Sequence, residues 1–287
     1  MLYYGTIFLS RLICAPFPEE WRGGEALMPA WTRIRRSRAD ARAAAETGRG
    51  PGYALVAGWS GILFAALFTV ALVLVHRAPG LTVADSQYAN FYADGGSGAL
   101  VTAGLYIVPF AGIVFLWHMM ATREFIATLP GTQNREMPRA LQLASGVAFI
   151  ILLFSGMALT GAIALLKQFS VAPLPPVYVA RALSAAGYGL VFVFGARVAG
   201  MYMITTTTLL NAAGVLARPL AWFGYLCAAT VLLSWTFHPI FALIFPGWVF
   251  VVSVVAVVRA HQAKARTTQP SRAGAVTSPA EGHLSKE

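Results

Sequence analysis

Residues 218–258 read RPLAWFGYLCAATVLLSWTFHPIFALIFPGWVFVVSVVAVV, and after Arg218 no Lys, Arg, Asp or Glu occurs until Arg259. A bilayer's hydrocarbon core of about 30 Å takes roughly 20 helical residues per crossing. The run from Leu220 to Val258 is long enough for two crossings, and His238-Pro239 near its middle predicts a hairpin. In lipid a helix satisfies its backbone groups within the segment. The stretch therefore predicts an all-α, polytopic transmembrane helix bundle.

Composition points the same way. The chain is 57% hydrophobic and 11% charged, against about 25% charged in soluble domains. Its net charge of +10 would suggest nucleic acid in a soluble protein. Here the excess falls in tails and loops, so anionic lipid headgroups are the expected partner and nucleic acid is not. Cys14 and Cys227 form no CxxC or ligand pair, which excludes a disulfide framework and argues against a metal site.

Working outward, residues 1–27 differ in character from the rest of the chain. MLYYGTIFLS has no basic region ahead of its apolar run, unlike a signal peptide. Met28 opens a basic segment, and we expect translation to begin there. Residues 1–52 are predicted to be a cytoplasmic tail. Its arginines from Arg33 to Arg49 fix orientation, with an interfacial helix as the alternative.

The first span is predicted over Tyr53–Val75 and the second over Ala99–Ala121, kinked at Pro109. Leu141–Leu166 is the third span, ended by Lys167 and VAPLPP. Val177–Ile204 is the fourth. It carries Arg181 and Arg197, each expected to snorkel toward its own interface. The Thr205–Thr208 run is expected as a partly exposed turn, and residues 259–287 as a disordered basic tail.

Six spans place both termini on one side. Arg123, Arg135, Arg139, Arg197 and Arg218 would join the basic tails inside, leaving only Arg77, Lys167 and Arg181 outside. That asymmetry predicts an N-in, C-in protein of the cytoplasmic membrane.

Three short elements resemble uncharacterised families of bacterial polytopic membrane proteins. They are Phe91-Tyr92-Ala93-Asp94 after the first span, Pro219-Leu220-Ala221 with Gly224-Tyr225 opening the fifth, and Pro246 with Trp248 in the last. The resemblance covers roughly residues 53–258. It implies six spans and brings no activity with it. The Thr205–Thr208 run departs from the pattern.

For chemistry, an absence is informative. No Asp or Glu lies between Glu136 and Glu281, nor in the first two predicted spans. Coupled carriers commonly use a carboxylate at bundle depth, although broken helices offer carbonyls instead. Gly58-Trp59-Ser60-Gly61 matches the GxSG of rhomboid-type proteases, with His118 at comparable depth as the base. Small residues there fit helix packing better. His76 and His238 invite haem ligation, but each sits beside a turn, and no cofactor is expected.

Asp85, Tyr92 and Asp94, with Tyr88, would form an extracytoplasmic rim, the alternative being an interfacial loop. Pro109, His118, Arg181 and Arg197 complete the candidate positions. Ala196/Gly200 and Ala158/Ala162 are expected packing pairs, within the bundle or between copies. The expected function is a non-enzymatic accessory or interaction component of the cell envelope, with a homo-oligomer or a membrane-protein partner. The alternative is a small-molecule or lipid transporter; an intramembrane serine hydrolase comes third.

Overall fold

The computed structural model describes residues 30–93, 97–129, 132, 135–171, 173–233 and 239–268. Asp94, Cys14, His238, the Met28 start and residues 269–287 lie outside them. The chain divides into two units, 1–45 and 46–287; in the first, residues 30–45 are helical.

The described residues contain helices and no strand. They form α1 (Ala30–His76), α2 (Asp85–Ala93), α3 (Gly98–Ala127), α4 (Glu136–Phe169), α5 (Val177–Ala212), α6 (Arg218–Leu233) and α7 (Pro239–Thr268). Among the described residues five stretches are long and apolar enough to cross a membrane: Gly50–His76, α3, α4, α5 and Phe241–Gln262. The chain has the build of a multi-pass helical membrane protein. At 16 residues, α6 is about 24 Å long at 1.5 Å per residue, shorter than any of those five.

The helices overrun the sequence-based boundaries. The second predicted span continues to Ala127, taking in Arg123 and Glu124. The fourth continues to Ala212, so the threonine run is helical. Thr205, Thr206 and Thr207 are buried, where a partly exposed turn was expected. The last helix reaches Thr268, so the first residues of the expected disordered tail are helical too.

Aromatic rings from five helices close the middle of the bundle. Phe64 of α1 lies 4.6 Å from Phe115 of α3, centroid to centroid, and Phe115 lies 5.5 Å from Phe149 of α4. Phe149 meets Phe245 of α7 at 4.8 Å, and Phe115 meets Tyr202 of α5 at 5.2 Å. All five are buried. Tilted and edge-on pairs of this kind add to the packing of each ring.

Glycines set the closest approaches. A Cβ on Gly187 of α5 would fall 2.5 Å from the Gly156 carbonyl oxygen and 2.8 Å from the Thr160 nitrogen of α4, so the two backbones touch there. Gly200 similarly admits Leu232 of α6, which places the Ala196/Gly200 pair in a helix contact. Ala158, by contrast, is exposed, and Gly156 and Thr160 occupy the face that packs.

Two π-helical segments interrupt the spans, Ala103–Ile107 in α3 and Gly189–Gly195 in α5. The first relieves Pro109. Proline supplies no N–H, and the Val108 N–H bonds the Ala103 carbonyl, five residues back.

Candidate functional site

The polar side chains collect at two levels. One is a cap beside the His76 end of α1. There the loop after α1 and helix α2 lie over α4 and α5. Tyr88 donates to Ser184 Oγ at 2.8 Å, and both are buried. Arg181 donates through Nη2 to the Val83 carbonyl at 2.9 Å and to Asp85 Oδ1 at 2.8 Å. Its guanidinium carbon sits 5.3 Å from the Tyr88 ring centroid, within cation–π reach. Lys167 of α4 donates to the carbonyls of Tyr92 and Ala93, at the C-terminal end of α2 where a cation is favoured.

The structure thus brings Asp85, Tyr92 and Arg181 together, but as a clasp. Arg181 and Lys167 both donate to the cap's own backbone, and Arg181 also pairs with Asp85. Tyr92 is buried beside Tyr88, with ring centroids 5.7 Å apart. Burial, with Tyr88 alongside, holds the Tyr92 phenol above its ordinary pKa. Of the expected rim, Asp85 alone stands open to solvent among these residues, at 77% exposure.

The second level lies at the opposite end, where Gly50, Thr128, Gly214 and Arg259 surround a cavity of about 340 Å³. We call this the vestibule. Next to it is a chamber of about 10 Å³ lined by His118, Thr122 and Ser253, which shares Phe125 and Val215 with the vestibule as walls. His118 Nδ1 donates to the Ala57 carbonyl at 2.8 Å. Gly61 makes the room: a Cβ there would lie 2.6 Å from His118 Nδ1 and closer still to Ser253 Oγ.

A wider polar layer continues from Thr122. The Tyr202 hydroxyl lies among Thr122, Gln142 and Thr206 without closing a well-formed hydrogen bond to any of them. Gln142 Nε2 donates to Thr206 Oγ1 at 3.0 Å. Thr122 Oγ1, Ser253 Oγ, Gln142 Oε1, Tyr202 OH and Thr207 Oγ1 are buried and unpartnered among the described residues.

The serine–histidine pair that the GxSG match invites does not form. Ser60 donates to its own helix, to Val56 O at 2.6 Å and Ala57 O at 3.2 Å. The serine that accompanies His118 is Ser253, nearly two hundred residues from Ser60 in sequence and overlooked by motif reasoning. Ser253, Tyr202 and Thr206 carry a signal, a polar group inside a charge-free apolar run, whereas Thr122 and Gln142 sit at run ends beside Arg123 and Arg139, where sequence does not set them apart. Such groups are hydrogen-bonded or functional more often than idle.

Arg197 takes an unexpected course. It follows the π segment of α5, is exposed, and turns back to donate through Nη1 to the Val193 carbonyl at 2.6 Å. Helical side chains lean toward the N-terminus, which favours this over a reach along the chain. Pro109 sits half-buried beside its π segment and apart from both polar levels. His76 is exposed and borders a groove of about 480 Å³ with Tyr188 and Phe192. Among the described residues no group of three His, Cys, Asp or Glu side chains is placed to hold a metal.

On the flank, Tyr53, Leu116, Trp117, Met120 and Glu124 line an apolar groove of about 420 Å³. Comparison of the chain with family models, curated proteins and solved structures finds no match.

Proposed function

We propose that this is a six-span, N-in and C-in protein of a bacterial cytoplasmic membrane, acting as a non-enzymatic accessory or interaction component of the cell envelope. The observation that carries the reading is the closed aromatic middle. Phe64, Phe115, Phe149, Phe245 and Tyr202 pack ring against ring, while the larger cavities, of about 340, 420 and 480 Å³, lie toward the ends and on the flank. A solute pathway needs polar space through the middle. A protein that engages neighbours needs a rigid core and a shaped flank, and the Trp117 groove supplies that shape.

In this reading α6 is the sixth crossing. The arginines of the basic tails lie against anionic headgroups. The flank receives another membrane protein or a second copy.

The test is affinity purification from native membranes, with mass spectrometry of the associated proteins and lipids, alongside a Trp117→Ala variant. The expected result is a stoichiometric membrane partner or dimer that Trp117→Ala weakens. Monomeric protein that catalyses saturable solute flux in proteoliposomes would overturn it. That outcome is the second reading, a small-molecule or lipid transporter. The unpartnered hydroxyls around Tyr202 and the two π segments favour it, since such segments recur at functional sites.

A further inference from the structure

Hydroxyls inside apolar helices usually return a hydrogen bond to a carbonyl three or four residues back. This protein follows the habit at Ser60, Ser145, Thr160, Thr205, Thr208 and Thr230. Thr122 of α3 and Ser253 of α7 break it. Both are buried, at 3% and 0% exposure, and neither hydroxyl has a protein partner among the described residues. Each lines the same small chamber, as does His118.

Leaving a buried hydroxyl unpaired costs about 1–3 kcal/mol, and two in one chamber would double the penalty. The chamber's volume is about 10 Å³, close to the roughly 10–15 Å³ that one water requires. A larger ligand does not fit. A metal ion is also a poor match, because Thr122 and Ser253 offer neutral oxygens and no carboxylate lines the chamber. The vestibule, which shares Phe125 and Val215 as walls, gives solvent a short way in.

We propose that the chamber is a binding site for a single structural water, bridging Thr122 Oγ1 and Ser253 Oγ beside His118. This water joins α3 to α7. Through Thr122 it also extends the polar layer of Tyr202, Gln142 and Thr206 to the α1–α7 contact at Gly61. The site is independent of the partner-binding flank, so failure of one proposal leaves the other standing.

The sign of a stability change tests it. In a dry chamber, Ser253→Ala and Thr122→Val each delete an unsatisfied hydroxyl and raise the melting temperature. With a bridging water, each strips a satisfied hydrogen bond and lowers it. The second replacement then recovers part of the loss, because the departed water has left the remaining hydroxyl unpaired, and Thr122→Ser retains wild-type stability. A direct measurement covers the case in which the variants fail to fold: cryo-electron microscopy of the full chain in a lipid nanodisc, at a resolution that shows waters. Density within hydrogen-bond distance of both hydroxyls is expected. A chamber without density in a well-ordered core, or a melting temperature raised by Ser253→Ala, overturns the proposal.

Discussion

Tyr88 and Ser184 are joined across 96 residues of sequence, hydroxyl to hydroxyl at 2.8 Å, in a buried seam between the cap helix α2 and the start of α5. The seam makes the cap part of the fold. Tyr88→Phe keeps the ring and leaves Ser184 Oγ without its donor, so it should cost about 1–3 kcal/mol. Adding Ser184→Ala should recover part of that loss. Thermal melts of the detergent-solubilised single and double variants measure both effects.

The cap should also respond to alkali in one direction. Burial and the Tyr88 neighbour raise the Tyr92 phenol above its ordinary pKa of about 10. A group with a raised folded value contributes its full stability below the unfolded pKa and loses it as pH climbs toward the folded one. Wild type and Tyr92→Phe should therefore show a constant stability difference below about pH 10. Above it, wild type should fall away faster. Melting curves between neutral pH and pH 11 read this out, and parallel curves throughout would contradict it.

At Arg181 the backbone contact should matter more than the ion pair. Asp85 is largely exposed, so Asp85→Asn should cost below about 1 kcal/mol. Arg181→Ala removes the donor to Val83 O and the cation over Tyr88 as well, and should destabilise more. Limited proteolysis in the loop between α1 and α2 compares the two: faster cleavage in Arg181→Ala than in Asp85→Asn is expected.

The spans were legible because absence of charge over some twenty residues has few explanations besides lipid or a deep core. Their ends were harder. Counting from Ala99 stops at Ala121, yet α3 runs six residues further, because its last turn is held by packing at Phe125 and Ile126. The threonine run looks like a polar turn locally. Its burial comes from Gln142 on α4 and from Gly224 on α6, where a Cβ would fall 2.7 Å from Thr207 Oγ1. The shared chamber of His118 and Ser253 depends on Gly61 lacking a side chain, a fact spread over three helices. The π segment of α5 has flanking glycines, Gly189 and Gly195, but no residue that forces the register.

Glycine substitutions separate close approach from mere burial. Gly187→Ala would drive a methyl into the Gly156 carbonyl and the Thr160 backbone. Overpacking of that kind costs about 1–3 kcal/mol. Gly161, also buried and next to Thr160 in sequence, has nothing near its missing Cβ. Gly161→Ala should be neutral or slightly stabilising through helix propensity. Expression level and melting temperature should rank Gly161→Ala at or above wild type and Gly187→Ala well below.

The last prediction concerns Ser60, whose GxSG setting invites a hydrolase. A serine nucleophile needs a base positioned to take its proton. Here the Ser60 proton goes to carbonyls of its own helix, 2.6 Å from Val56 O and 3.2 Å from Ala57 O. His118 already commits Nδ1 to Ala57 and packs against Phe115, at 6.0 Å between centroids. Its role in this geometry is to seal α3 against α1. The two variants should then part company. Ser60→Ala should leave abundance, stability and any cellular phenotype unchanged, since it removes only a hydroxyl that bends back on its helix. His118→Ala should lower stability by leaving a hole among Phe115, Gly61 and Ser253. Fluorophosphonate probes should fail to label Ser60 in membranes. Labelling of Ser60 that persists in a folded Thr122→Val control and disappears in a folded His118→Gln variant would reverse this conclusion and make the pair a catalytic one.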